Sequence, residues 1–196
     1  MMALSLALLL PWTVPAASAA GLAIPGDPGR GTGSAGGLLS GAAAAKFEVP
    51  WGESCEEWWS FYNSRDWLAG GFVWTGFDYR GEPTPHGWPC VNSHFGIMDT
   101  CGFPKDDFYY YKSWWGAKPV VHVFPHWNWP GSENKPIPVW VYSNAAEVEL
   151  IVNGESLGRK TMKKDGHVSW DVPYAPGYIE ARGYNERLRS YTSVFD

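Results

Sequence analysis

Aromatic and acidic side chains are concentrated in one stretch of the chain, GGFVWTGFDYRGEPTPHGWPC, residues 70–90. The stretch begins with apolar residues typical of a buried strand and continues into a segment rich in Pro and Gly. Trp74 and Asp78 come where the predicted strand ends, which is where parallel-barrel folds place their binding and catalytic groups. An indole ring there can stack on the apolar face of a sugar. Trp74 and Asp78 are therefore the first candidate binding residues.

A pattern of metal-binding side chains follows directly. His86, Cys90 and His94 recur at intervals of four, which on a helix would align them on one face as ligands of a metal ion. Pro85 and Pro89 fall inside this interval and make a helix improbable, because proline lacks a backbone N–H and clashes with the preceding turn. The sequence therefore predicts neither a metal site nor a bound cofactor.

The amino terminus bears on whether the protein is exported. Residues 1–20 hold an apolar core of signal-peptide length, followed by Ala17-Ser18-Ala19 as a cleavage site, although no Lys or Arg precedes that core. This weak signal favours a secreted or periplasmic location. The cysteines are too few for a disulfide framework, and one bridge between Cys90 and Cys101 is an open alternative in an exported chain.

Composition limits the classes of partner. Residues 21–46 are rich in Gly, Ala, Pro and Ser without an apolar period, which predicts a low-complexity linker. The formal net charge is -5 and no Lys/Arg cluster stands out, so nucleic acid is not an expected partner. The apolar run near the amino terminus is too short to span a membrane. Nothing in the sequence defines an oligomer.

Two helices and one strand are predicted between residues 47 and 118. Ser54 and Glu57 fit a capping box, and the apolar positions that follow recur with a helical period up to Asn63–Arg65. Residues 68–77 read as a strand with apolar residues on both faces, as in a parallel sheet covered by helices. A long loop over 81–107 follows, and residues 107–115 are predicted to form a closing helix on the wall of a barrel.

Residues 119–196 have the pattern of a small antiparallel β-sandwich. Short segments bounded by Pro, Gly, Asn and Asp are predicted as strands over 120–124, 138–143, 148–152, 156–160, 167–172 and 177–184. Asn153-Gly154 between two of them predicts a type I′ hairpin turn. Trp127 and Trp129 precede the second strand, and we interpret them as packing residues rather than exposed sugar platforms.

Two blocks of the sequence together resemble a known family. FEVPWGESCEEWWSFYNSRDWLAGGFVWTGFDYRGEPTPHGWPCVNSHFGIMDTCGFPKDDFYYYKSWW resembles the end of the catalytic (β/α)8 barrel of family 2 glycoside hydrolases, particularly the β-galactosidases. YSNAAEVELIVNGESLGRK resembles the immunoglobulin-like β-sandwich that follows that barrel. The resemblance covers roughly residues 47–185. It implies an α+β chain in two parts, a carboxy-terminal remnant of a TIM barrel over 47–118 and an immunoglobulin-like antiparallel sandwich over 119–196.

The resemblance also assigns roles to residues. Trp74 would lie at the wall of a sugar-binding pocket, Asp78 just outside it, and Asp99 in the loop that completes the pocket rim. The implied partner is a carbohydrate of the β-galactoside class. The nucleophile and the acid/base of the family follow the fourth and seventh barrel strands, and both positions precede the first residue that this chain shares with the family.

The sequence therefore resembles a fragment of a retaining glycoside hydrolase without its catalytic carboxylate pair. Such enzymes need two carboxyl groups about 5 Å apart. The nearest local acid pairs are Asp78 with Glu82 and Asp106 with Asp107, and nothing in their spacing supplies an enclosed pocket. We expect the chain alone to be inactive. The alternative is a non-catalytic module whose β-sandwich binds carbohydrate or a protein.

Overall fold

The structure is a computed structural model that describes residues 54–83, 86–185 and 190–195. The predicted signal peptide, the linker and the start of the predicted barrel segment lie outside these residues. Two helices precede seven strands: α1 Cys55–Asn63, α2 Asp106–Trp115, β1 Val121–Phe124, β2 Pro136–Ser143, β3 Glu147–Val152, β4 Glu155–Thr161, β5 Val168–Pro173, β6 Ile179–Tyr184 and β7 Ser190–Phe195. Within the described ranges, no helix is both long and apolar enough to cross a bilayer.

Helix α1 begins where the capping pattern predicts. The Ser54 hydroxyl accepts a hydrogen bond from the Glu57 backbone N–H at 3.2 Å and donates to the Glu57 carboxylate at 2.6 Å. Cys55 and Trp58 are buried on the predicted apolar face. The helix ends at Asn63, as the periodicity indicates, so this element is confirmed.

The predicted strand over residues 68–77 is wrong. Residues 68–77 run as irregular extended chain, and their backbone bonds reach residues 95–98 on one side, for example from the Ile97 N–H to the Thr75 carbonyl at 2.9 Å. A doubly buried strand needs partners on both edges and layers over both faces. Here Phe72 is 99% exposed and Phe77 is 53% exposed, whereas Val73 packs on the helices.

A glycine makes the contact between these two segments possible. A Cβ added to Gly96 would lie 2.2 Å from the Asp78 backbone nitrogen and 2.4 Å from the Met98 carbonyl oxygen. No real Cβ tolerates such contacts, and the atoms it would meet are backbone atoms that cannot rotate away. Gly96 therefore allows residues 95–98 to lie directly against the segment that carries Asp78.

Helix α2 forms as predicted, one residue earlier, and packs on β1 and β2 of the first sheet, whereas its place on a barrel wall stays a prediction. The Tyr110 ring lies 5.2 Å from the Tyr142 ring of β2, and Tyr109 stacks on His122 of β1 at 3.9 Å. A buried cluster joins both helices to these strands; it contains Cys55, Trp58, Tyr110, Tyr111, Phe124 and Tyr142. The aromatic residues of α2 are thus the attachment of the helical part to the sheets.

The strands form two antiparallel sheets, in the orders β1-β2-β5 and β4-β3-β6-β7. All six predicted strands are present within one or two residues of their predicted ends. Strand β7, which carries the sequence SYTSVF, was not predicted. Asn153 and Gly154 have φ values of 51° and 86°, which confirms the predicted tight turn between β3 and β4.

Strand β4 is the exposed edge of the second sheet. All seven of its residues are exposed, and it carries charged side chains such as Arg159 and Lys160. Its register with β3 shifts between Glu149 and Ile151. A charged and irregular edge of this kind disfavours pairing with a strand from another chain.

The core of the sandwich lies between the two sheets. Val139 and Val141 of β2 and Val148 and Leu150 of β3 are fully buried and belong to one apolar cluster. Trp127 is 1% exposed in the same cluster, and its indole N–H donates to the Ala175 carbonyl at 2.9 Å. This confirms that Trp127 is a packing residue.

The burial of Trp127 predicts a large loss of stability on truncation. Trp127→Ala should lower the free energy of unfolding by about 3–5 kcal/mol, because it leaves a cavity in the core and an unpaired Ala175 carbonyl. Trp129 is partly buried, so Trp129→Ala should cost at most about 2 kcal/mol. Urea denaturation of both variants measures the difference. Equal losses would contradict the assignment of Trp127 to the core.

Asp107 of α2 predicts a pH-dependent attachment of the helices. Its carboxylate lies 3.6 Å from the Cys55 sulfur, and burial, followed by the charge of Asp106, raises the pKa of Asp107 to about 7 from 3.8. A raised carboxyl pKa means that the folded state prefers the protonated acid, so this stabilisation is complete below about pH 4 and is lost as the pH rises through about 7.

Asp107→Asn should remove this dependence, because an amide does not ionise in that range. Urea denaturation between about pH 4 and pH 8 should show the stability of the original chain falling relative to that of Asp107→Asn. All other titrating groups are common to the two proteins, so the difference isolates Asp107. A constant difference across this range would contradict the raised pKa.

Candidate functional site

The candidate site is the segment from Trp74 to Glu82 with the loop that lies against it. The Trp74 indole is 46% exposed, and its N–H donates to the Tyr79 hydroxyl at 3.3 Å. The Tyr79 hydroxyl in turn donates to the Glu82 carboxylate. The Trp74 and Tyr79 rings meet edge to face with centroids 6.1 Å apart. The exposed indole is therefore held by a chain of two hydrogen bonds.

Tyr79 and Glu82 are site residues that sequence reasoning did not assign. Burial, followed by the hydrogen bond to Glu82, raises the pKa of Tyr79, so its hydroxyl stays protonated and able to donate. Tyr79 and Glu82 follow Trp74 closely in the sequence. In an irregular segment, however, a separation of five residues does not predict a hydrogen bond between two side chains. The hydrogen bonds that join these residues to Trp74 therefore could not be predicted from the sequence.

Asp78 lies in a buried ion pair. Its Oδ1 atom accepts hydrogen bonds from the Lys105 ammonium at 2.7 Å and from the Gly96 N–H at 2.8 Å. The two charged side chains are only 8% and 4% exposed. Asp78 thus ties together three segments of the site, and a direct contact between Asp78 and a ligand stays a prediction. Lys105, separated by 27 positions from its partner, was missed by the sequence analysis.

Asp99 organises the neighbouring loop. Its Oδ1 accepts from the backbone N–H groups of Cys101 at 2.8 Å and Phe103 at 2.9 Å, and its own N–H donates to the Phe103 carbonyl. Gly102 has a φ of 87° in this turn. The carboxylate therefore sets the shape of the loop that begins at Met98. Its predicted place on the rim of a sugar pocket stays a prediction.

Large apolar side chains around this segment are exposed. We call them the apolar face; it consists of Trp67, Phe72, Trp74, Phe77, Trp88 and Phe103. Phe72 and Trp88 are almost wholly exposed, at 99% and 87%. Each of these rings exposes apolar area to water, and packing of another molecule or chain against them would remove that area from water.

Four acids in and near the candidate site are each engaged by a different side chain. Asp78 binds Lys105 and Glu82 binds Tyr79. Asp106 contacts the His122 ring at 2.8 Å, and Asp107 contacts the Cys55 thiol. Asp107 has a raised pKa suited to a general acid, but its carboxyl is turned into the contact between α1, α2 and the sheet.

The cysteines are free thiols, so the Cys90–Cys101 bridge is not present. The Cys90 sulfur lies 3.4 Å from His94 Nε2 and 3.3 Å from the Asn92 carbonyl oxygen. Burial lowers the pKa of His94. In the part of the chain that the structure describes, no preformed group of three His, Cys, Asp or Glu side chains is arranged around a metal ion.

A separate polar cleft of about 380 Å³ lies between α1 and the turn before β5. Glu56, Lys163, Lys164 and His167 line it, and the His167 ring contacts the Glu56 carboxylate at 2.5 Å. None of the predicted site residues lines this cleft. Glu56 therefore joins the helical part to the sandwich in addition to complementing the helix dipole.

The ion pair beneath the site predicts a local loss of structure when it is broken. Lys105→Met should destabilise the contact of residues 95–98 with Asp78 by about 3–5 kcal/mol, because it leaves an uncompensated buried carboxylate. Amide hydrogen exchange at Gly96 and Asp78 measures this loss. Lys112→Met on the exposed side of α2 is the matched control.

A second variant separates the effect of the Asp78 charge from the effect of the hydrogen bond that Asp78 accepts from Gly96. Adding Asp78→Asn to Lys105→Met removes the unpaired charge while keeping an oxygen that accepts from Gly96, so protection at Gly96 should partly return. If the double variant exchanged faster than Lys105→Met alone, the charge would not be the cause.

Comparison with known proteins places this geometry in a family. Residues 134–187 match the family described as Domain of unknown function (DUF4982), which is a carboxy-terminal domain of glycoside hydrolase family 2. Beta-galactosidase BoGH2A of Bacteroides ovatus is 53% identical over 135 residues, which cover 67% of this chain and 16% of that protein. A putative beta-glucuronidase of Formosa agariphila is 44% identical, over 71% of this chain and 14% of its own length.

Solved structures of glycosidases are similar to this chain over most of its length. A beta-glycosidase from Bacteroides vulgatus superposes with a TM-score of 0.69 at 42% identity, over 74% of this chain and 18% of that one. A family 2 glycosyl hydrolase from Bacteroides cellulosilyticus superposes with a TM-score of 0.63 at 30% identity, over 72% and 23% respectively. The matched part of the chain spans 16% and 14% of the lengths of the two sequence relatives. Over the part that these proteins cover, about 70% of its length, the chain belongs to glycoside hydrolase family 2.

Proposed function

We propose that this chain forms part of a retaining β-glycoside hydrolase and supplies one wall of its sugar-binding pocket. The observation that carries the proposal is Trp74, a half-exposed indole held by Tyr79 at the end of an extended segment. An indole presented in this way can stack on the apolar C–H face of a pyranose. Because its N–H is already bonded to Tyr79, the ring is oriented before a ligand arrives, which lowers the entropy lost on binding.

The proposed substrates are β-linked galactosides. The relative at 53% identity is named a beta-galactosidase, whereas the relative at 44% identity is named a putative beta-glucuronidase. The two sugars differ at C6, which is a hydroxymethyl group in galactose and a carboxylate in glucuronic acid, and at C4, where the hydroxyl is axial in galactose and equatorial in glucuronic acid. β-Glucuronides are therefore the competing substrate class, and a comparison of the two separates them.

The reaction itself requires groups beyond those described. A retaining glycosidase needs a nucleophilic carboxylate and an acid/base carboxyl about 5 Å apart. Since Asp78, Glu82, Asp106 and Asp107 are each engaged with another partner, we infer that the catalytic pair comes from another part of a longer polypeptide. The described residues then position the sugar and keep water from one side of it.

The apolar face supports the same proposal. We propose that residues 47–118 are the closing segment of a (β/α)8 barrel, whose preceding strands and helices cover Phe72, Phe77 and Phe103 and supply the edge that residues 68–77 lack. Residues 119–196 are then the immunoglobulin-like domain that follows the barrel. In this arrangement the ion pair of Asp78 with Lys105 holds the pocket wall from behind.

The purified chain alone should not hydrolyse a chromogenic β-galactoside or β-glucuronide, because each of the acids Asp78, Glu82, Asp106 and Asp107 is engaged by another side chain. The stronger test restores the missing part: residues 54–195 replace the corresponding segment of the Bacteroides ovatus beta-galactosidase. This chimera should hydrolyse β-galactosides, and Trp74→Ala in it should lower kcat/KM by at least about 100-fold, since stacking and positioning are lost together. Trp129→Ala, a tryptophan outside the site, is the control and should change kcat/KM by less than about 3-fold.

Two outcomes would contradict the proposal. One is a correctly folded chimera in which Trp74→Ala leaves kcat/KM unchanged. The other is turnover by the chain alone that disappears with Trp74→Ala, which would mean that local carboxylates are catalytic. Preferential hydrolysis of the β-glucuronide by the chimera would keep the glycosidase proposal and overturn the galactoside assignment.

A further inference from the structure

An exposed carboxylate lies beside the tryptophan of the candidate site. Glu82 is exposed and accepts a hydrogen bond from the Tyr79 hydroxyl, which itself accepts from the Trp74 indole N–H at 3.3 Å. Gly81 and Glu82 both have positive φ values, 101° and 44°, in the turn that brings this carboxylate back to Tyr79. The carboxylate is therefore only two hydrogen bonds away from the edge of the indole ring.

Glu82 can accept hydrogen bonds beyond the one from Tyr79. A carboxylate has two oxygens with about four acceptor positions, and the Tyr79 hydroxyl occupies one of them, at Oε2. The hydroxyl groups of a pyranose project from the edge of the ring, whereas its C–H groups form the faces. A sugar that stacks on Trp74 thus directs hydroxyl groups sideways, toward groups at the indole edge. Hydrogen bonds from hydroxyls to a carboxylate are about twice as strong as those between neutral groups.

Two cationic side chains close to this segment are directed elsewhere. Arg80 lies opposite Asn92 in an antiparallel bridge, and side chains alternate along an extended segment, so Arg80 projects to the face opposite Tyr79. Lys105 is buried and its ammonium binds Asp78 at 2.7 Å. The charge that this segment presents at the indole edge is consequently the negative charge of the exposed carboxylate.

We propose that Glu82 selects neutral pyranosides over uronides in the candidate pocket. It accepts hydrogen bonds from the hydroxyl groups of a neutral sugar and repels a sugar that carries a carboxylate at C6. The Debye length of about 8 Å at physiological ionic strength lets this repulsion reach across a single sugar stacked on Trp74. The inference rests on the proposed function and deepens it, because it assigns the choice between the two sugar classes to one side chain.

The test uses the chimera with the Bacteroides ovatus beta-galactosidase. The quantity measured is the ratio of kcat/KM for a chromogenic β-glucuronide to kcat/KM for the matching β-galactoside. Glu82→Gln keeps the shape and an oxygen that accepts from Tyr79, and it should raise this ratio at least about 10-fold because the charge is removed. Glu155→Gln makes the same change on the exposed strand β4, outside the site, and should alter the ratio less than about 2-fold.

A second variant separates direct contact with the sugar from orientation of the indole. Tyr79→Phe breaks the chain of hydrogen bonds to Trp74 but leaves the charge of Glu82 in place. It should lower kcat/KM for both sugars and leave their ratio within about 2-fold of that of the original chimera. If Glu82 acted only by orienting Trp74 through Tyr79, then Tyr79→Phe and Glu82→Gln would have the same effect on the ratio.

Salt provides a measurement that needs no variant. Raising the NaCl concentration from about 20 mM to about 300 mM should increase the ratio at least about 3-fold in the original chimera, because screening weakens the repulsion of the uronide. This increase should disappear in Glu82→Gln.

An unchanged ratio in Glu82→Gln, an equal shift in Tyr79→Phe, or a ratio in the original chimera that does not respond to salt would overturn the inference. Trp74→Ala tests the proposed function in the same chimera. If Trp74→Ala lowered kcat/KM as expected while Glu82→Gln left the ratio constant, only the role of Glu82 would be wrong.

Discussion

The candidate site depends on a buried carboxylate that is compensated. Asp78 accepts from the Lys105 ammonium and from the Gly96 N–H, and backbone hydrogen bonds join the same segments, for example from the Asp78 N–H to the Met98 carbonyl and from the Lys105 N–H to the Ile97 carbonyl. A buried charge without a partner is costly, so each of these segments is restrained by the need to satisfy the other two. The ion pair and the Gly96 hydrogen bond therefore help to fix the conformation of the segment around Trp74, which is not part of a β-sheet.

The β-sandwich provides the support for this arrangement. Its core is a conventional apolar cluster between two sheets, but its first sheet carries a second, aromatic layer on the opposite side. Tyr142 contacts Tyr110 of α2, and its hydroxyl lies 3.8 Å from the sulfur of Cys55 in α1. Because both helices attach to the same strand, the sandwich positions the candidate site through aromatic packing and one partly buried acid, Asp107.

Local patterns predicted most of the elements, and long-range partners explain what was missed. The cap at Ser54, the period of α1 and the Asn153-Gly154 turn each follow from a few neighbouring residues, so they could be found in the sequence. The apolar run 68–77 has the composition of a strand, but whether it forms one depends on neighbours that the run does not specify. The pairing of Asp78 with Lys105 and the convergence of His86 with His94 likewise depend on loop geometry, for which residue spacing holds no rule.

Two surfaces of the described residues differ in how they favour contact with another molecule. Strand β4 has a charged edge and a register shift, whereas the apolar face around Phe72 has neither. Pairing of another strand along β4 would place charged side chains against the partner and would have to follow the register shift. Covering the rings around Phe72, in contrast, would remove apolar area from water without displacing a charge. Among these described surfaces, the free energy available for association therefore lies with the aromatic rings and not with the strand edge.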